Sequence, residues 1–199
     1  MAARSLLARP APPEGVESFA PAPDLLAWVE ATIFTPGRLL HNQDHAHLVD
    51  ADLAFLWASS GFEKAGRVVL GQAEQVMFRA GGWQKARQEQ QMIEWFGRVP
   101  AFLITLAADY CATCSDAEFC ALVEHELYHI GHAPDAYGAP VFDKEGRPKL
   151  RIVGHDVEEF VGVVARYGPS SDVLRLTGAA GAAPSVQWPD VARACGPCL

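Results

Sequence analysis

The sequence predicts a mixed fold of the α+β class, on three observations. Helix-period segments are interleaved with short β-prone runs rather than strictly alternating with them. One segment, opening at Ser115, carries a complete helix-start signature. Half of the 199 residues are hydrophobic and one fifth are charged, enough apolar material for one core and too little charge for a wholly disordered chain.

Along the chain, residues 1–23 are rich in Ala and Pro. Pro10, Pro12, Pro13, Pro21 and Pro23 remove backbone donors there, so a flexible arm is expected. The pattern LLAWVEATIF after Asp24 predicts a short helix closed by Pro36. Asp44 is placed to cap a second helix running through Leu48, Leu53, Phe55 and Leu56 to Gly61. Arg67 to Phe78 and Phe102 to Leu106 read as strands, with a polar helix from Trp83 to Phe96 between them. Ser115 can accept from the third amide of a new helix while Glu118 reaches back, which predicts a helix to about Ile130, stopped by Gly131. Residues 134–153 contain two short β-prone pieces around a Lys-Glu-Gly-Arg-Pro turn, expected as a hairpin or extended excursion. Gly154 precedes a last helix, HDVEEFVGVVARY, ended by Gly168 and Pro169. The expected division is therefore an arm at 1–23, a single domain at 24–168 and a loosely held Gly, Ala and Pro-rich tail at 169–199.

A formal net charge of −8 gives no pull toward nucleic acid or an anionic membrane face. The longest clean apolar run, Ala101 to Ala108, is far short of the roughly 20 residues of a membrane span. The N-terminal apolar run breaks at Arg9 and Pro10, so no secretory signal is expected. Five cysteines without such a signal point to a reducing cytoplasm and to free or metal-bound thiols.

The chemistry concentrates in His125-Glu126-Leu127-Tyr128-His129. On a helix, positions i and i+4 share a face, so two imidazoles can grip one Zn2+ while the intervening glutamate serves as general base. Spacing residues about 100° apart puts Glu126 inside the apolar arc of Leu122, Phe119, Ile130 and Val123. An accidental motif on an ordinary amphipathic helix would leave that carboxylate buried at a cost, so a site explains its place better. Glu124 and Tyr128 project elsewhere, as solvated positions do.

Catalytic zinc takes a third protein donor and leaves the fourth position to water. His155 is the leading candidate; Glu159, about 40° away on the same helix scheme, is the alternative ligand or a carboxylate that orients the His155 ring. His132 lies too far along a straight helix from His125 to share an ion. His41, His45 and His47 read as solvated residues near a helix start. Cys111 and Cys114, and again Cys195 and Cys198, have C-x-x-C spacing; a four-thiolate zinc site across both pairs is not expected, and no role is assigned to them.

Taken together, FLITLAAD, AEFCALVEHELYHIGH, PKLRIVGHD and DVEEFVGVVARYG resemble the "putative phage metallopeptidase" family and, more distantly, the SprT-like metallopeptidases, over about residues 44–168. The resemblance implies His125, His129 and His155 as zinc ligands and Glu126 as general base. It also implies a zincin-like arrangement, with a small sheet beside the HExxH helix and a later helix bearing the third ligand. The function that follows is a zinc-dependent peptidase-like hydrolase acting on a peptide or protein substrate, in the host cytoplasm if the chain is phage-encoded. The competing reading is a non-catalytic, phage- or prophage-encoded binding protein with a structural or degenerate zinc site. Phe102 to Ala107 is the expected sheet edge beside the cleft, and oligomeric state is not legible.

Overall fold

The computed structural model describes residues 9–157 and 160–186. Its centre is a four-stranded sheet in the order β1-β2-β6-β5, formed by Phe19–Pro21 (β1), Leu53–Ala58 (β2), Phe102–Ala107 (β6) and Gly71–Gln75 (β5). The two inner strands, LAFLWA and FLITLA, pair in parallel with Leu53 opposite Phe102. Both are apolar throughout except for Thr105, because both sheet faces are covered. Leu53, Phe55, Trp57, Phe102, Ile104 and Leu106 point into the main core, and Ala54, Leu56 and Leu103 into a smaller cluster on the opposite face.

The helices divide between those faces. Pro23–Val29 (α1), prolonged by a wide turn over Glu30–Phe34, and Asp116–Tyr128 (α4) bring Leu25, Val29, Ile33, Phe119, Leu122 and Val123 to the main core. Gly82–Phe96 (α2) lays Met92, Trp95 and Phe96 over the smaller cluster. It ends at Gly97, whose φ of 71° is the left-handed conformation that a glycine adopts without a Cβ penalty and whose N–H caps Ile93 O at 2.8 Å. A short helix, Ala108–Thr113 (α3), links β6 to α4. The ribbon of Phe62–Lys64 (β3) and Arg67–Val69 (β4) stands beside β5. A second ribbon, Ile130–His132 (β7) with Leu150–Ile152 (β8), follows α4, and Val161–Tyr167 (α5) and Ser171–Ala180 (α6) close the described chain.

Several expectations are corrected by these pairings. The described part of the arm is anchored: β1 pairs antiparallel with β2, and Arg9 reaches Asp116 Oδ1 at 2.7 Å. No helix runs from Asp44 to Gly61; one 3-10 turn at Gln43–Leu48 gives way to β2, since Leu53 to Trp57 have partners on both faces that only a strand presents. Asn42, rather than Asp44, caps that turn, its side chain accepting from the Asp44 N–H at 3.0 Å. The stretch from Arg67 to Phe78 is two strands, β4 and β5, belonging to different sheets. α4 ends at Tyr128, and Ile130 already starts β7. β6 is interior, so the sheet edge beside α4 is β5. Residues after Ser170, expected as loose tail, include α6. The expected excursion at 134–153 is extended, with bridges Pro134 to Pro140 and Phe142 to Pro148 before β8. Among the described residues, no helix is long and apolar enough to cross a membrane.

Candidate metal centre

The site begins with the start of α4. Ser115 accepts from the Glu118 N–H at 3.3 Å, and the Glu118 carboxylate receives the Ser115 N–H at 2.8 Å, the reciprocal cap read from the sequence. The Ser115 N–H and hydroxyl, both donating to that carboxylate at 2.8 Å, hold it below its ordinary value. From this fixed start the helix turns Phe119, Leu122, Val123 and Leu127 into the core, which sets the direction of every other side chain on it. His125 and His129 then fall on one half-buried face, and Glu126 is fully buried beside them.

The third imidazole arrives by a different route. His129 is the C-cap of α4, and its carbonyl accepts the Val153 N–H at 2.8 Å, one residue beyond β8. In return the Val153 carbonyl stands 2.8 Å from His129 Nδ1. A carbonyl only accepts, so Nδ1 carries the proton and the Nε2 lone pair is left to face the site. This reciprocal pair fastens the segment that carries His155 two residues on. His155 therefore sits in chain without regular secondary structure after the β7–β8 ribbon, not at the start of a helix as expected; among the described residues the next helix is α5 at Val161–Tyr167. Gly131 permits the close approach, because a Cβ there would stand 3.0 Å from Val153 Cγ1.

The three rings converge. His125 Nε2 lies 3.2 Å from His129 Nε2 and 3.2 Å from His155 Nε2, and the ligand atoms of all three lie within 4.8 Å of one another. Tetrahedral coordination with metal–nitrogen bonds of 2.0–2.1 Å separates neighbouring nitrogens by about 3.3 Å, so the spacing suits a small cation. Protons serve it poorly: His125 Nε2 faces two nitrogens and can give a hydrogen to only one. Burial, then the neighbouring His129 and His155, push the His125 imidazole down to about 4, which keeps it neutral and able to ligate near pH 7. The donor set thus fits a metal ion, and three imidazoles with no thiolate are borderline donors of the kind zinc accepts.

Glu126 faces β5. A Cβ built on Gly71 would meet Glu126 Oε1 at 2.5 Å, so glycine at that edge position makes room for the carboxylate. A cleft of about 320 Å³ opens there, walled by Phe62, Val69, Gly71, Ile152 and Val153 and reaching Glu126, His129 and His155. Its walls come from both ribbons, the sheet edge and α4.

A polar buttress missed in the sequence holds the opposite side of α4. Tyr128 donates to Asp44 Oδ2 at 2.8 Å and accepts from Asn42 Nδ2 at 3.0 Å; Asn42 also donates to Glu124 Oε2 at 2.9 Å. His45 is completely buried, against Tyr128 at 4.5 Å between ring centroids, with Nε2 3.8 Å from Glu124 Oε2. His47 Nε2 donates to Ile130 O at 2.7 Å and its ring lies 4.8 Å from that of His132. The expected solvated role of His45 is corrected accordingly, while Glu124 and Tyr128 keep exposed surface as expected; the sequence sign was the density of His and Asn at 41–47. His132 is kept from the triad because the chain has left the helix by Ile130. Glu159, Cys195 and Cys198 lie outside the described residues.

Against this geometry, a family model described as "Putative phage metallopeptidase" matches residues 26–181. No curated protein and no solved structure matches the chain. The family description and the three-histidine group together point to a metal ion and a peptidase-like role.

Proposed function

The chain belongs to the phage metallopeptidase family, and on that premise we propose that it is a zinc-dependent peptidase-like hydrolase. The observation that carries the reading is the convergence of three imidazoles beside a buried glutamate at the head of a cleft. In this reading His125, His129 and His155 hold the ion. A zinc ion held there would acidify a water to a pKa near 7 and polarise the scissile carbonyl.

Glu126 accepts the proton released from that water and returns it to the departing amine nitrogen. Its neighbour β5 guides the substrate. The ladder bonds from Ala107 N–H to Leu70 O and from Val76 N–H to Ala101 O turn Leu70, Gln72, Glu74 and Val76 toward β6. By alternation Ala73 and Gln75 turn their backbone groups outward, where an extended peptide can add as a further strand. The apolar wall of Phe62, Val69 and Ile152 suits an uncharged side chain next to the scissile bond. The reducing cytoplasm of the host is the setting we assign.

The test is hydrolysis of a mixed peptide library by purified protein, with and without chelator, alongside zinc content by elemental analysis. We expect one bound zinc per chain and cleavage that stops on chelation and returns with Zn2+. A zinc-loaded chain that cleaves nothing would favour a binding protein with a structural ion.

A further inference from the structure

Away from the histidine site, at the start of α4, the structure brings together Cys111, Cys114 and Arg9. Cys111 is fully buried on α3, and Cys114, half-buried, is the C-cap of that helix and the residue before the Ser115 cap. Arg9 wraps the pair. Its Nη1 donates to Cys111 O at 2.8 Å and faces Cys114 Sγ at 3.8 Å, Nη2 donates to Cys114 O at 2.7 Å, and Nε reaches Asp116 Oδ1 at 2.7 Å. The guanidinium lies 4.7 Å from the centroid of the Phe119 ring, which packs beneath it.

We propose that Cys111 and Cys114 form a redox-active dithiol that closes into an intramolecular disulfide, with Cys114 as the attacking sulfur. Residues three apart at a helix end hold their Cβ atoms about 5–6 Å apart, and a disulfide needs about 4 Å. Cys114 has left the helical conformation, at φ −69° and ψ 158°, while its N–H still closes the last turn on Tyr110 O at 2.9 Å, so the remaining approach is left to the two side chains. The Cys114 thiol already turns back toward Cys111, donating to Cys111 O at 3.8 Å.

The partition between the sulfurs follows from their surroundings. The Cys111 hydrogen bond, then the Arg9 charge, lower the Cys114 thiol to about 7 against the opposing effect of burial. Cys111 is pushed up by its bond to Cys114 and by burial, and so stays protonated until it is needed. Cys120, two turns along the same region, is raised to about 12 by burial and by Asp116 and Glu124, which leaves it inert.

With a low-molecular-weight disulfide such as oxidised glutathione as the oxidant, the Cys114 thiolate attacks one sulfur and expels a glutathione thiolate. Cys111 then loses its proton, attacks the Cys114 sulfur of the mixed disulfide and expels the second. Two protein thiols are oxidised and one glutathione disulfide becomes two glutathione thiols. The negative sulfur that faced Arg9 is thereby discharged.

The experiment uses the full chain, with Cys195→Ser and Cys198→Ser to silence the other pair. Protein equilibrated in glutathione buffers is acid-quenched, alkylated and fragmented by mass spectrometry. We expect a Cys111–Cys114 bond, with Cys120 alkylated only on unfolding. At increasing pH, the alkylation rate of Cys114 should rise with a midpoint near 7, moving toward the ordinary thiol value of about 8.5 in Arg9→Gln and Cys111→Ala. Circular dichroism identifies the folded variants, and Arg9→Gln suffices if Cys111→Ala unfolds. Accumulation of mixed disulfide alone, a bond to Cys120, or a midpoint unchanged in the folded variants overturns the proposal.

Discussion

Glu126 is a carboxylate with no exposed surface on a helix face otherwise made of Leu122, Val123 and Phe119. Burying a charge is costly, and a residue that bears the cost at the head of a cleft is one whose removal should cost chemistry rather than stability. Glu126→Gln is therefore expected to retain zinc while hydrolysis falls by about 100-fold or more, read as kcat at unchanged metal content. Full turnover in that variant would remove Glu126 from the reaction. His155→Ala should instead weaken zinc binding by at least about 100-fold, measured by competition with a chromophoric chelator.

The pH response of the metal-free chain is expected from His125, whose folded value near 4 lies below the ordinary 6.5 because burial and two neighbouring imidazoles disfavour its charge. A lowered folded value means that the unfolded chain binds the proton first. Stability is then fully present above about pH 6.5 and is lost as pH falls toward 4. Thermal melts of chelator-treated protein across that range check the sign, and a midpoint that rises with acid would contradict it.

The element that most nearly explains itself is α4. Its reciprocal cap, its apolar arc and its histidine spacing were all legible, because each depends on residues within a few positions of one another. Ser115→Ala removes the side-chain half of the cap and should lower stability by about 1 kcal/mol in denaturant titrations, with zinc still bound. β2 was misread as helix and β5 was not separated from β4, for the opposite reason. Leu53 to Trp57 carry a pattern that suits either period, and distant neighbours, such as Phe102 opposite Leu53 and Ile104 opposite Phe55, decide between them. Gly71 carried no local signal at all, since its meaning is the Glu126 carboxylate pressed against it. Gly71→Val should displace that carboxylate and lower kcat while zinc content holds, a split readable by elemental analysis beside the peptide assay.

For the whole molecule, the ligands belong to two separately built parts, α4 and the chain after β8, joined by the His129–Val153 exchange. An ion that binds only the folded arrangement stabilises it by mass action, about 4 kcal/mol at a thousandfold excess over Kd. Differential scanning calorimetry should show a melting point that climbs with zinc and drops on chelation. A melting point indifferent to both would mean that the three rings do not act as one site.

What the sequence determined by itself was local: a capped helix with two imidazoles one turn apart, a glutamate on its apolar side, and the family to which such a chain belongs. The tertiary structure decided how the third ring comes into reach, which strand forms the edge, and why His45 is buried. Helical spacing and capping act over a few residues and are written in the order of the chain. The path of residues 130–155 is settled by backbone bonds between β7, β8 and His129, and no local pattern encodes a partner that only folding brings near.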